Sequence, residues 1–249
     1  VGAMLVGGVW TLISLRKSLV SGIKSGLTAG DGVSGSSVPA TERDLPMRYI
    51  LIGTALFTLP LLILYQAIVD HWTVSIPMTV IMITAGLLFV SVSAYMAGLV
   101  GSSNNPVSGL TIATILFAAL VLAVLLGRSS PIGAVATIMI GAVVCCAACI
   151  GGDNLQDLKC GYMLGATPWK QQVMQGVGVV SAVLVMAPIL NLLLQAYGIG
   201  VPTEERPNPL LAPQATLMAS VAQGVFGAGL PWKMVAIGAV IGAVIIGVD

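Results

Sequence analysis

Charge is what this sequence has least of. Its 249 residues carry 10 Lys+Arg and 9 Asp+Glu, or 8% charged residues, against roughly 25% in soluble domains. So few charges cannot cover the surface of a soluble domain of this length, which excludes a water-soluble globular enzyme. Disorder needs the opposite composition, and this chain is 57% hydrophobic with a mean hydropathy of +1.03. A net charge of +1 leaves no footprint for nucleic acid. Histidine occurs once, as His71 between Asp70 and Trp72, where an interfacial residue is a better reading than a proton relay. Cysteine occurs four times without the pattern of a disulfide framework. Cys145, Cys146 and Cys149 lie in one apolar run and Cys160 in a polar segment. The i,i+4 spacing of Cys145 and Cys149 would suit a soft metal, but small residues at a helix interface explain it better. No HExxH, P-loop, GxSxG or dinucleotide fingerprint is present. Neither an enzyme nor an ATP-driven pump is read from this sequence, and no metal site or cofactor is expected.

What the sequence does have is long charge-free stretches, and these predict an all-α, polytopic transmembrane helix bundle. The length admits about eight passes at ~20 residues each. Barrel strands are excluded because the runs are too long and lack polar alternation. Spans are expected at 49–69, 74–100, 106–127, 131–150 and 173–197, the last with Pro188 inside it. Residues 214–229 are short and contain Gln214, Ser220, Gln223 and several glycines, which suits a discontinuous or re-entrant half helix. Residues 1–15 read as the end of one truncated helix and 232–248 as the start of another. The chain opens at Val1 without an initiator Met or a leader pattern, and it stops at Asp249 directly after an apolar run. Both ends are therefore expected to be cuts through a longer chain.

Residues 16–48 are expected to form a cytoplasmic loop, with the Gly/Ser-rich part at 21–37 flexible. That placement puts Arg16, Lys17, Lys24, Arg43, Arg48, Lys159 and Lys170 on one side and Arg128 and Arg206 on the other, with Lys233 depending on the half helix. The asymmetry favours this orientation. Gly238 and Gly242 have GxxxG spacing and read as a packing face.

Three segments could carry chemistry. In 101–109, Asn105 has the character of an N-cap and Pro106 of a first helical residue. A helix starting there would aim free N–H groups and a partial positive charge at a substrate anion, with Asn104 and Ser108 alongside. The alternative is an ordinary polar turn. In 151–161, Asp153 and Asp157 are four apart and share a helix face, with Asn154 beside them and Lys159 near enough to pair. Within the membrane such a carboxylate could carry a proton or grip an amine; in solvent it would be a plain loop. The double glycine at 151–152 would permit a sharp break before the cluster. In 209–232, prolines bracket the half helix, and Gln214 could line a cavity or lie at the interface.

The stretches GLVGSSNNPVSG at 98–109, GGDNLQDLKCGYMLGATPWK at 151–170 and PQATLM at 213–218 resemble the oligopeptide transporter family. The closest likeness is to its prokaryotic members and to the yellow-stripe-like branch. It runs from Trp10 to Trp232 and is most specific in 153–170. The resemblance implies a later portion of a secondary transporter, usually proton-coupled, that imports small peptides across the plasma (inner) membrane. A metal-siderophore or metal-chelate carrier is the alternative within the family, and a non-transport membrane subunit the alternative outside it. The partners expected are a peptide or metal-chelate substrate, protons, the lipid bilayer and, as an option for assembly, further copies of the chain. The substrate-binding candidates are Asn104, Asn105, Ser108, Asp153, Asn154, Asp157, Lys159 and Gln214. Asp153 and Asp157 are also the candidates for coupling to protons.

Overall fold

A computed structural model describes residues 1–29, 39–200, 202–204, 206–229 and 231–248. Eight α-helices follow one another: α1 Gly2–Ala29, α2 Met47–Val69, α3 Trp72–Val100, α4 Val107–Leu126, α5 Gly133–Leu164, α6 Pro168–Ala196, α7 Pro213–Gln223 and α8 Trp232–Val248. A π-helical turn, Gly224–Ala228, continues α7. No β-strand occurs among the described residues, and the chain is a multi-pass membrane helix bundle. Among the described residues, five helices, α2 to α6, are long and apolar enough to cross a bilayer.

Two helices are longer than their apolar stretches predict. The helix α1 does not stop where a loop was expected at residue 16 but runs past Arg16, Lys17 and Lys24 to Ala29. At 1.5 Å per residue its 28 residues measure ~42 Å, which exceeds a ~30 Å hydrocarbon core and leaves room for charges on the protruding turns. The centre of the expected flexible loop, residues 30–38, lies outside the described residues. The helix α5 likewise has no break at Gly151 and Gly152; it continues for 32 residues to Leu164. These glycines let neighbours approach. A Cβ on Gly151 would lie 2.7 Å from Val90 Cγ1, and one on Gly152 would collide with the Asn105 amide.

The core is built around α4, where Leu110, Ile112, Ala118, Ala119 and Leu122 are wholly buried. The helices α3 and α5 pack on it and on each other, while α7 and its π-turn add Val221, Ala222, Val225 and Phe226 to the same cluster. Small residues set the spacing of this packing. Gly141 of α5 leaves room for Ile115 of α4, and Gly133 leaves room for the Phe226 ring. The GxxxG pair packs on α1, with a Cβ on Gly242 only 2.8 Å from Ala3 Cα. By contrast α6 has no buried residue, and its apolar side chains face outward along its whole length.

Among the described residues, six polar side chains are buried: Ser75, Thr79, Ser93, Thr111, Thr114 and Thr137. Five of them bond a carbonyl one turn earlier on their own helix, the local solution open to Ser and Thr in apolar surroundings. Ser93 is the exception, and its bond crosses to α5.

Replacing Gly141 by Ala should overpack the α4–α5 contact and cost about 1–3 kcal/mol. Thermal unfolding of the detergent-solubilised full-length protein checks this. Ile115→Ala carries its own cavity cost, but combined with Gly141→Ala the losses should be less than additive, because the clash is with that side chain; strictly additive losses would contradict the packing described.

Candidate functional site

The polar segments singled out in the sequence gather mainly at one end of the bundle. The turn from α3 to α4 arrives there, as do the C-terminal half of α5, the start of α6 and the approach to α2. Gly101 ends α3 with φ +85°, a conformation that costs glycine little. A 3-10 turn, Ser102–Asn104, then leads to Pro106 and the first turn of α4. Trp169 N–H donates to Arg43 O at 3.1 Å and Gln172 Nε2 to Asp44 Oδ1 at 3.2 Å, which ties the start of α6 to the segment before α2.

Asn105 does not cap α4. Its backbone carbonyl accepts from Val107 N–H at 2.8 Å, but its side chain makes no cap hydrogen bond and turns back into the bundle. There Asn105 Nδ2 donates to Ser93 Oγ, and the Ser93 hydroxyl donates to Ala148 O on α5. The physical reason lies in Gly152: without a side chain, α5 presents a gap that the amide fills, and a buried amide gains more from a bonded partner than from a solvated helix end. Asn105 Oδ1 is buried without a partner. One turn further along α5, Gln156 Oε1 accepts from Ser102 N–H at 2.6 Å. The α3–α4 turn is therefore fastened to α5 at two levels. Asn104 is exposed and Ser108 half-buried beside it.

The carboxylates sit on the same continuous helix. From Gly133, twenty residues rise ~30 Å, which fills a hydrocarbon core, so Asp153 and Asp157 come at or beyond the end of the span rather than at mid-depth. Both are exposed. Asp157 is fastened to α6: its Oδ2 accepts from Gln175 Nε2 at 2.8 Å, and its backbone carbonyl accepts from Gln171 Nε2 at 3.4 Å. Gly161 leaves room for the Gln171 amide. The expected pairing with Lys159 is not formed. At ~100° per residue, Lys159 lies ~200° around the helix from Asp157 and ~240° from Asp153, so it points elsewhere. Asn154 is half-buried, and its Oδ1 has no partner.

Gln214 belongs to a different place. It is exposed at the start of α7, whose neighbour Thr216 lies beside Gly200; the other end of α7 leads to Phe226, against Gly133 at the opposite end of α5. The structure thus brings Asn105 against α5 near Asp153, holds Asp157 against α6, and leaves Gln214 apart. Sequence reasoning missed Ser93, Gln156, Gln171 and Gln175. A serine inside a charge-free span and glutamines four apart at 171 and 175 were the signals on offer, and each is also common in helices with no such role.

The match to known proteins covers the whole chain. A family model described as "OPT oligopeptide transporter protein" matches residues 1–249. A protein of Haemophilus influenzae named "Putative oligopeptide transporter" is 36% identical over 270 aligned positions, which span 100% of this chain and 42% of that relative. The chain therefore covers less than half the length of the curated relative. No solved structure matches.

Ser93→Ala removes the acceptor for Asn105 Nδ2 and should cost about 1–3 kcal/mol of stability. Asn105→Ala should cost a similar amount, and the double variant little more than either alone. A thermal-unfolding double-mutant cycle measures this, and fully additive losses would show that the two side chains do not act together.

Proposed function

The chain belongs to the OPT oligopeptide transporter family, and from that premise we propose that it forms part of a secondary transporter. Its work is to import small oligopeptides across the plasma membrane by alternating access, driven by a proton gradient. The observation that carries this reading is the family match joined to the polar junction at the α3–α4 break. Irregular backbone within a membrane protein is tolerated where it borders protein or water, and a helix N-terminus at such a place suits a substrate anion.

The proposed roles follow from the geometry. Ser108 N–H and Gly109 N–H, in the first turn of α4, meet the substrate carboxylate with the partial positive charge of that helix end. Asn104, Asn105 and Asn154 provide amide groups around it. Asp153 carries the coupling proton or meets the substrate amine, because it has a carboxylate uncommitted to a neighbouring helix. Asp157 is held by Gln175 and positions α6 against α5. Lys159 and Gln214 drop out of the substrate set, one by its direction and the other by its distance along the bundle. Alternating access then rests on change in the contacts that fasten the α3–α4 turn to α5.

Uptake of labelled di- to tetrapeptides into proteoliposomes of the full-length protein, with and without an inward proton gradient, tests the reading. Gradient-driven accumulation is expected. The double variant Asp153→Asn/Asp157→Asn should lose about tenfold or more of the gradient-driven rate, worth ~1.4 kcal/mol or more, while remaining folded. Full activity in that variant would remove the carboxylates from the coupling step. Accumulation of ferric chelates with peptides ignored would replace the peptide substrate with a metal chelate.

A further inference from the structure

The end of the bundle opposite the Asn105 junction holds a cavity that the roles above leave unused. It opens between the α2–α3 turn and the α4–α5 turn, has a volume of about 500 Å³, and is lined in part by His71, Arg128, Ser129, Ser130 and Ile132. Arg128 is exposed and has no hydrogen-bond or ion-pair partner among the described residues. Asp70, the carboxylate next to His71, ends α2 in a left-handed conformation and takes no part in the lining. No acidic side chain lines the cavity.

A guanidinium offers five donors and no acceptor in a planar fork that matches a carboxylate or phosphate. The two serine hydroxyls beside it rotate to donate to the same oxygens, and the His71 imidazole adds a further donor. The cavity also lies where α5 begins. Ile132, which precedes the first residue of α5, is in the wall, so the positive end of a 32-residue helix adds to the cationic side chains. The carbonyl end of α4 reaches the same place and offsets that partial charge, so the positive charge of the cavity comes from the guanidinium.

We propose that this cavity binds an anionic group, a carboxylate or a phosphate, through Arg128, with His71, Ser129 and Ser130 completing the contacts. Two sources share that chemistry: the C-terminal carboxylate of a peptide and the phosphate of an anionic lipid headgroup. The peptide source rests on the transport reading above, and the lipid source does not.

The test uses the purified full-length protein in nanodiscs, with Arg128→Gln and Arg128→Lys as variants. Arg128 is exposed, so both should fold, and unchanged thermal unfolding verifies this. Binding of trialanine is compared with binding of its C-terminal amide, and retention of phosphatidylglycerol is compared with phosphatidylcholine by native mass spectrometry. If the carboxylate is the ligand, Arg128→Gln weakens trialanine by about tenfold or more and leaves the amide unchanged. If the phosphate is the ligand, the same variant loses phosphatidylglycerol to a similar extent and keeps phosphatidylcholine. In either case Arg128→Lys retains an intermediate affinity. A folded Arg128→Gln protein with both trialanine binding and lipid retention unchanged overturns the proposal. Arg128-dependent lipid retention in a protein that takes up no peptide would overturn the transport reading and leave this site standing.

Discussion

The Ser93 hydroxyl makes the innermost of the bonds that hold the α3–α4 turn against α5. Every other buried serine or threonine named in the core spends its hydrogen bond on its own helix, as apolar surroundings favour. Ser93 instead joins α3 to α5 through Ala148 O and receives the Asn105 amide at the same time. A hydroxyl has one proton to give and two lone pairs, so this arrangement uses its single donor in one direction and accepts from the other. Both bonds lie between packed helices, where an orphaned polar group costs more than it would at a surface. The placement of the α3–α4 turn follows from that constraint, and with it the direction in which α4 starts.

Glycine makes the arrangement geometrically accessible. Along α5, Gly141, Gly151, Gly152 and Gly161 face Ile115, Val90, Asn105 and Gln171 respectively. Close approach is what brings interhelical hydrogen bonds within reach when no hydrophobic force drives helices together in lipid. The same feature explains why a double glycine does not break the helix. A glycine in a helix interior costs roughly 1 kcal/mol against alanine, yet here a side chain would cost more by displacing a neighbour.

How much of this was legible beforehand divides along the same physical line. The helical bundle could be read because hydrophobic length is a one-dimensional property: the observed span Met47–Val69 differs by two residues from the expected 49–69. The charged end of α1 was misread as loop, and α5 runs well past the expected span 131–150, because a helix can outlast its apolar stretch wherever it leaves the hydrocarbon. Asn105 was recognised as a polar residue at a break, but its direction was not, since a cap and an inward bond use the same side chain. The choice depended on Ser93 and Gly152, which lie 12 and 47 positions away in sequence. Lys159 was read as a neighbour of the carboxylates by proximity along the chain; once the helix is continuous, its angle decides against that. Ser93, Gln171 and Gln175 left no distinctive trace, because their roles exist only between helices.

The groups proposed to act at the two ends of α5 differ in charge, and the helix between them fixes how they can be used. Asp153 and Asp157 lie at one end of α5, and Arg128 just before the other; the twenty residues from Gly133 to Gly152 separate them by ~30 Å. A free peptide carries both an ammonium and a carboxylate, yet a di- or tripeptide is at most ~11 Å long when extended. No such molecule can meet Arg128 and Asp153 at once. On the proposed reading, an anion site at one end and a carboxylate at the other therefore act on a substrate in succession, not as a single clamp. An unbroken α5 is well suited to that order of events, since a rigid element that lines both ends relates a change at one mouth to a change at the other without contact between the sites.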